Sequence, residues 1–148
     1  MDKDQLSFSS MEEYVIVCQP QGTNEKYYYS NELQHGSHWT ESIQQAIRIP
    51  GKQKERFSGL LNDLTKVTND NIAHYKEVQD KFKQKRDDVY QQYYQVFKND
   101  ANADPQKYID KLDDLGPKLN RQLGKLPYLP PVKAGKVPSE VTVTLEQI

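Results

Sequence analysis

Apolar residues recur at helical spacing through a long stretch in the middle of the chain. Residues 53–98 contain no proline, and Gly59 is their only glycine. The apolar positions in this stretch lie three or four residues apart from Phe57 to Phe97, as in an amphipathic helix. Residues 68–71 (Thr-Asn-Asp-Asn) are poor helix formers, but the stripe resumes after them with a one-residue slip. We therefore predict one continuous long helix.

A second apolar stripe, Tyr108–Leu123, follows after a short polar break. Asp104 is a natural N-cap, and Pro105 suits the first helical position because its missing N–H has no partner there anyway. Gly124 is the expected C-cap. Residues 116–117 (Gly-Pro) are expected to kink or interrupt this helix, since a proline removes a backbone donor and crowds the preceding turn.

Strand patterns lie at both ends of the chain. Tyr14–Cys18 and Tyr27–Tyr29 are short aromatic and β-branched runs, and Val141–Leu145 alternates apolar and polar residues. Three short strands are not stable alone, so we expect the two ends of the chain to meet in one small sheet. Between them, Glu41–Ile49 has the spacing of a short helix, and His35–Trp39 is expected to form a polar loop.

Path lengths favour an elongated arrangement. The long helix would span roughly 69 Å, and a short return helix followed by an extended proline-rich segment would cover roughly 76 Å. The predicted fold class is therefore α+β and mostly helical, with a long helical hairpin (a coiled-coil-like stalk) on a small β-sheet formed by N- and C-terminal strands. The prediction is a single domain, 1–148, with a β base at 1–39 and 139–148, a helical region at 40–124 and a Pro-rich extended strap at 125–138.

Composition supports a folded but thinly cored protein. The 148 residues include 20 basic and 21 acidic side chains, for a net charge of −1, and hydrophobic residues make up 35%. A mean hydropathy of −0.94 leaves little material for a spherical core, so an elongated or oligomeric helical shape fits better. A pI near 6.3 does not favour DNA binding driven by overall charge.

Targeting and redox signals are few. No apolar run approaches the roughly 18 residues of a membrane span, and Met1–Gln5 lacks the layout of a secretory signal. The single cysteine, Cys18, cannot form an internal disulfide, which fits a reducing compartment. We therefore expect a cytoplasmic protein without a membrane span, with signal-less export or packaging in a virion left open.

His35 and His38 are the one closely spaced histidine pair, and with Cys18 as a third ligand they form a weak candidate zinc site. Three-residue spacing in a loop has no fixed geometry, so a polar loop anchored by Trp39 explains these residues better. No metal and no cofactor is predicted.

Recognised catalytic motifs are absent from the sequence, including the nucleophile elbow, the phosphate-binding loop and the zinc protease signature. Cys18 falls within a predicted strand and has the character of a small buried hydrophobe. The prediction is therefore that the chain is not an enzyme.

The long stripe is the remaining functional feature. It predicts a protein–protein interaction, scaffold or adaptor module that binds a protein partner, with homo-oligomers through the stripe as one form of this. The alternative is a small effector or nucleic-acid-associated factor that uses the basic segment 115–139, which carries five cations and no acid. The predicted partner-binding residues are Phe57, Leu61, Leu64, Tyr90, Tyr94, Lys118, Arg121 and Lys125.

Overall fold

A computed structural model of the chain describes residues 12–148. The first part of the predicted β base and the N-terminal segment inspected for a secretory signal lie in residues 1–11, outside the described residues. The described part is α+β and about half helical, with five antiparallel strands. These strands are β1 Glu13–Pro20, β2 Tyr27–Gln34, β3 Ser37–Thr40, β4 Ile49–Pro50 and β5 Val141–Gln147.

The sheet is built around β1. One edge of β1 pairs with β5 from Tyr14 to Pro20, and the other edge pairs with β4 near Glu13 and with β2 near Val17. The predicted meeting of the N-terminal and C-terminal strands is therefore confirmed. Along β5 the inward residues alternate with exposed threonines, as the period-two pattern predicts.

Two strands lie where the sequence predicted none. The segment expected to be a loop contains β3, and a two-residue turn at His35 and Gly36, both with positive φ, joins β3 to β2. The helix predicted at Glu41–Ile49 is wrong, because only Ile43–Gln45 forms a 3-10 helix and Ile49 pairs with β1. Two causes oppose a helix there, one long-range and one local. The Ile47 N–H donates to the Tyr29 carbonyl oxygen at 3.0 Å, and a residue that precedes proline disfavours helical geometry.

Two α-helices supply most of the remaining structure. A 3-10 turn, Gly51–Phe57, leads into α1, Ser58–Asn99, which runs unbroken as predicted. The second helix, α2, is Gln106–Leu123, and Gly124 caps its end with a φ of 60°. It starts one residue later than predicted, and the Asp104 carboxylate accepts the Gln106 N–H at 2.9 Å. The interruption expected at Gly116 and Pro117 is wrong, since α2 continues through both.

The described residues fall into two compact units. We call the first the sheet unit, which comprises the chain up to Ile72 together with Lys125–Ile148, and the second the helical unit, Ala73–Gly124. Each unit has its own buried residues, and whether they act as a single domain stays a prediction. In the sheet unit the core joins all five strands, β1 to β5, to the first part of α1. Its largest fully buried apolar side chains are Trp39, Ile16, Ile49 and Ile72.

Polar residues in α1 attach that helix to the sheet unit. The Trp39 indole N–H donates to the Thr68 hydroxyl at 3.1 Å, and both residues are at most 1% exposed. The Asn69 side chain accepts the Val141 N–H at 2.9 Å and donates to the Val141 carbonyl at 3.3 Å. The Asn71 side chain accepts the Tyr128 N–H at 3.2 Å. The poor helix formers of this segment therefore hydrogen-bond to the Trp39 side chain and to the backbone of residues distant in sequence.

The proline-rich segment after α2 covers the edge strand β3. The His38 N–H donates to the Pro127 carbonyl at 2.8 Å, and the Ser37 hydroxyl donates to the Leu129 carbonyl at 2.6 Å. These bonds satisfy polar groups at a strand edge that would otherwise be open. The segment is not extended throughout, because Lys133 and Lys136 close a tight turn.

Candidate protein-binding surface

Of the predicted partner-binding residues, three lie in or against the core of the sheet unit. Leu64 is only 3% exposed and lies in the main core, and Phe57 and Leu61 pack against that core as partly buried residues. The prediction is corrected for Leu64, because a side chain this buried leaves no surface for another protein. The sequence could not separate the core-facing part of the stripe from the rest, since both parts have the same spacing.

The candidate metal ligands do not converge. Cys18 is fully buried in the core on β1, and this burial raises the pKa of its thiol to about 12, so it stays protonated. His38 stacks between the rings of Tyr29 and Tyr128, with centroid distances of 5.3 and 5.1 Å, and donates from Nδ1 to the Ser30 carbonyl at 2.8 Å. Within residues 12–148 no group of three or more His, Cys, Asp or Glu side chains is placed to hold a metal ion.

His35 lies in the exposed turn between β2 and β3, beside a groove of about 780 Å³ that borders the proline-rich segment. The charged groups at this groove already bind each other. Lys133 contacts Glu41 at 2.9 Å and Glu25 at 3.7 Å, and the hydrogen bond to Glu41 is the main reason that the pKa of Lys133 is raised to about 12. The groove therefore offers apolar walls without an unsatisfied charge to attract a ligand.

The helical unit exposes the aromatic residues that the sequence selected. Tyr90 is 53% exposed and Tyr94 is 58% exposed, and Phe97, one turn further along α1, is nearly half exposed. From α2, Ile109 is also exposed. The helices meet at both ends of α2. The Tyr93 and Tyr108 rings pack at a tilt with their centroids 5.2 Å apart, and His74 donates from Nε2 to the Gln122 carbonyl at 3.2 Å.

A groove of about 520 Å³ lies between the two helices of this unit. Its lining is apolar in the larger part, and α1 also contributes two cations, Lys83 and Arg86, one acid, Asp80, and the amide of Gln79. The apolar lining comprises Phe82 and Tyr90 from α1 and Leu112, Leu115, Gly116 and Leu119 from α2. Helical geometry puts Tyr94 and Phe97 on the same side of α1 as Tyr90, because residues three or four apart share a face. We call the groove lining, together with Tyr94, Phe97 and Ile109, the aromatic face.

Burial in α2 is unusually low for an amphipathic helix. None of its residues is buried, although leucines recur along one side at helical spacing. In α1, by contrast, Val78 and Phe82 are buried within the helical unit. An amphipathic helix normally derives its stability from covering its apolar stripe, so the stripe of α2 is only partly covered here.

The predicted cations do not form one free basic surface. Lys118 contacts Asp114 at 2.7 Å, one helical turn away, and this pair lowers the pKa of the Asp114 carboxyl. Arg121 and Lys125 are exposed. Lys133, in the same basic segment, is held by Glu41 and Glu25 as described above.

Several residues of the aromatic face were not selected from the sequence. Phe82, Leu112 and Leu115 appeared in the predicted stripes, but their shared groove depends on how the two helices lie together. Ile109 of α2 and Arg86 of α1 lie beside the predicted apolar stripes. A helical projection of each helix could have placed each residue next to its own stripe.

No protein-family model, no curated protein and no solved structure matches this chain. Within the described residues no helix is both long enough and apolar enough to cross a membrane.

Proposed function

We propose that the chain is a non-enzymatic protein–protein interaction module that acts as an adaptor or scaffold. In this proposal α2 and the part of α1 from Ala73 onward form a helical hairpin with coiled-coil-like packing, and its aromatic face binds a protein partner. The proposed location is the cytoplasm, in keeping with a single buried thiol, Cys18.

The observation that carries the proposal is the uncovered apolar surface of the helical unit. Tyr90, Tyr94 and Phe97 are each about half exposed, and side chains of this size leave roughly 300 Å² of aromatic surface in water. Covering that area is worth roughly 7 kcal/mol before the entropy cost of association. The largest apolar patch on a typical monomeric protein covers about 300–600 Å² and is often a functional site, and Tyr and Phe residues are enriched at protein interfaces.

The alternative of a nucleic-acid-associated factor has less support. It needs the basic segment 115–139 to present free cations to phosphate, yet Lys118 and Lys133 already contact carboxylates at less than 3 Å. Salt-dependent RNA or DNA binding that disappears when Lys118, Arg121 and Lys125 become Glu would restore this alternative.

Site-specific photo-cross-linking tests the proposal. A photoreactive phenylalanine analogue replaces Tyr94 in cells that make the protein. A matched variant carries it at Gln92, which is exposed, lines a different groove and lies two residues from both Tyr90 and Tyr94, so it is on the opposite side of α1. We expect an adduct from position 94 that is absent from position 92. The trapped protein, once purified, should bind the wild-type chain at least tenfold more tightly than the Tyr94→Glu variant. No adduct at position 94 above the level at position 92 would contradict the proposal.

A further inference from the structure

We propose that the partner on the aromatic face is a second copy of this chain, packed so that α1 of one copy lies against α2 of the other in a twofold four-helix bundle. This inference rests on the proposed function and names its partner. It is carried by the placement of apolar and charged residues within the helical unit, Ala73–Gly124.

Both helices contribute apolar side chains to the groove. One helix contributes Phe82 and Tyr90 to the groove, and the other contributes Leu112, Leu115 and Leu119. A twofold axis parallel to the helices places each apolar stripe over the other stripe of the second copy, so that both are covered at once. The half-exposed Tyr90 then lies over the leucines of α2, which are only partly covered within one copy.

Charge supports the same pairing. Arg86 lines the groove from α1, where it also contacts Asp87 at 4.0 Å. Asp113 of α2 lies three residues before Gly116, which lines the groove, and therefore shares its face of the helix. The contacts of Tyr93 with Tyr108 and of His74 with Gln122 fix the antiparallel register, which puts Arg86 and Asp113 at about the same height along the unit. A twofold axis parallel to the helices preserves that height. Arg86 of one copy therefore faces Asp113 of the other, and the ion pair forms twice.

The available area predicts a weak dimer. The 18 residues of α2 span about 27 Å, and two helices side by side are about 20 Å wide, so the face offers about 540 Å² per copy. Stable interfaces bury about 800 Å² per partner, and weak ones fall below about 600 Å². We therefore expect a dissociation constant in the micromolar range rather than the nanomolar range.

A charge exchange between the two helices tests the inference. Arg86→Glu puts a carboxylate against Asp113 of the second copy, and Asp113→Arg puts two guanidinium groups together, so each variant alone should associate at least tenfold more weakly than wild type. An equal mixture of the two variants restores opposite charges at both positions and should form a heterodimer. Lys81→Glu is the matched control, since it makes the same charge change on α1 at an exposed residue that does not line the groove.

Sedimentation equilibrium from about 5 to 500 μM supplies the measurement, with circular dichroism to verify that every variant is folded. We expect the wild type and the Lys81→Glu control to rise from 17.2 kDa toward twice that mass, and the mixture to exceed either variant alone. A wild type that stays monomeric throughout this range, or a mixture no more associated than its components, would overturn the inference. In that case, a different protein cross-linked at position 94 would still support the proposed function. A monomeric chain with no adduct at position 94 would contradict both the proposed function and this inference.

Discussion

The hydrogen bond between Trp39 and Thr68 allows a sharp test of how α1 is attached to the sheet unit. Thr68→Val keeps the shape and the β-branch of the side chain but removes the hydroxyl that accepts the indole N–H at 3.1 Å. Trp39 is 1% exposed, so water cannot replace the lost acceptor. Leaving a buried donor unsatisfied costs about 1–3 kcal/mol.

Urea unfolding followed by tryptophan fluorescence measures this cost directly, because Trp39 is the single tryptophan of the chain. With a denaturant slope of about 2 kcal/mol per molar urea, a loss of about 2 kcal/mol lowers the midpoint by about 1 M. Thr65→Val is the matched control, since it makes the same substitution one turn earlier on α1. The Thr65 hydroxyl bonds only within the helix, to the Leu61 carbonyl at 2.8 Å, so its loss should cost less than about 0.5 kcal/mol.

A double-mutant cycle separates the bond from other effects of the substitution. In a Trp39→Phe background the indole donor is absent, and Thr68→Val should then cost at least about 1 kcal/mol less than it does in the wild type, measured by circular dichroism. Equal midpoints for Thr68→Val and Thr65→Val, or no coupling in the cycle, would refute the reasoning.

Two further predictions concern ionisation and backbone strain in the sheet unit. Burial raises the pKa of Cys18 from 9.0 to about 12, so the unfolded chain releases its thiol proton first and stability falls as the pH rises through this window. At pH 10 the free energy of unfolding is lower by about 1.4 kcal/mol because of this thiol. Urea titrations at pH 8 and pH 10 should therefore show that the unfolding free energy falls by about this much less in Cys18→Ala than in the wild type. An equal fall in the two proteins would contradict the burial argument. Ala134 has a φ of 52° in the turn closed by Lys133 and Lys136, a left-handed conformation that asparagine tolerates better. Ala134→Asn should therefore raise the unfolding free energy by about 0.5–1 kcal/mol, whereas an unchanged or lower urea midpoint would contradict this.

Helical periodicity predicted α1 and α2 well because both helices have apolar positions repeated over several turns. The same reasoning failed at Glu41–Ile49, where the spacing also suits a helix. There the decisive interactions are long-range, since Ile49 pairs with β1 and the Ile47 N–H bonds to the Tyr29 carbonyl. A sequence window does not contain either partner.

In residues 68–71 of α1, local propensity opposed the helix that the structure contains. Thr68, Asn69 and Asn71 lower helix propensity, yet α1 continues through them. Their side chains form bonds to Trp39, Val141 and the Tyr128 backbone that offset the local cost. Sequence alone identified these residues as unfavourable for a helix but not the distant groups that they bind.

The sequence predicted only part of the candidate surface. Tyr90 and Tyr94 could be selected from the crowding of aromatic residues near the end of α1, and both are exposed. Leu64 could not be distinguished from them, because burial depends on which half of the helix meets the sheet. The groove between the helices also depends on their register, which no single stripe contains.

Hydroxyl-radical footprinting measures directly whether a protein covers the aromatic face. It does not require the partner to be identified. The oxidation rates of Tyr90, Tyr94 and Phe97 are compared between the dilute purified chain and the chain in the extract of its own cells, with Leu33, exposed in the sheet unit, as the reference. We expect the three aromatic side chains to oxidise at least threefold more slowly in the extract, while the oxidation rate of Leu33 does not change. Equal rates for the three aromatic side chains in both samples would contradict this expectation.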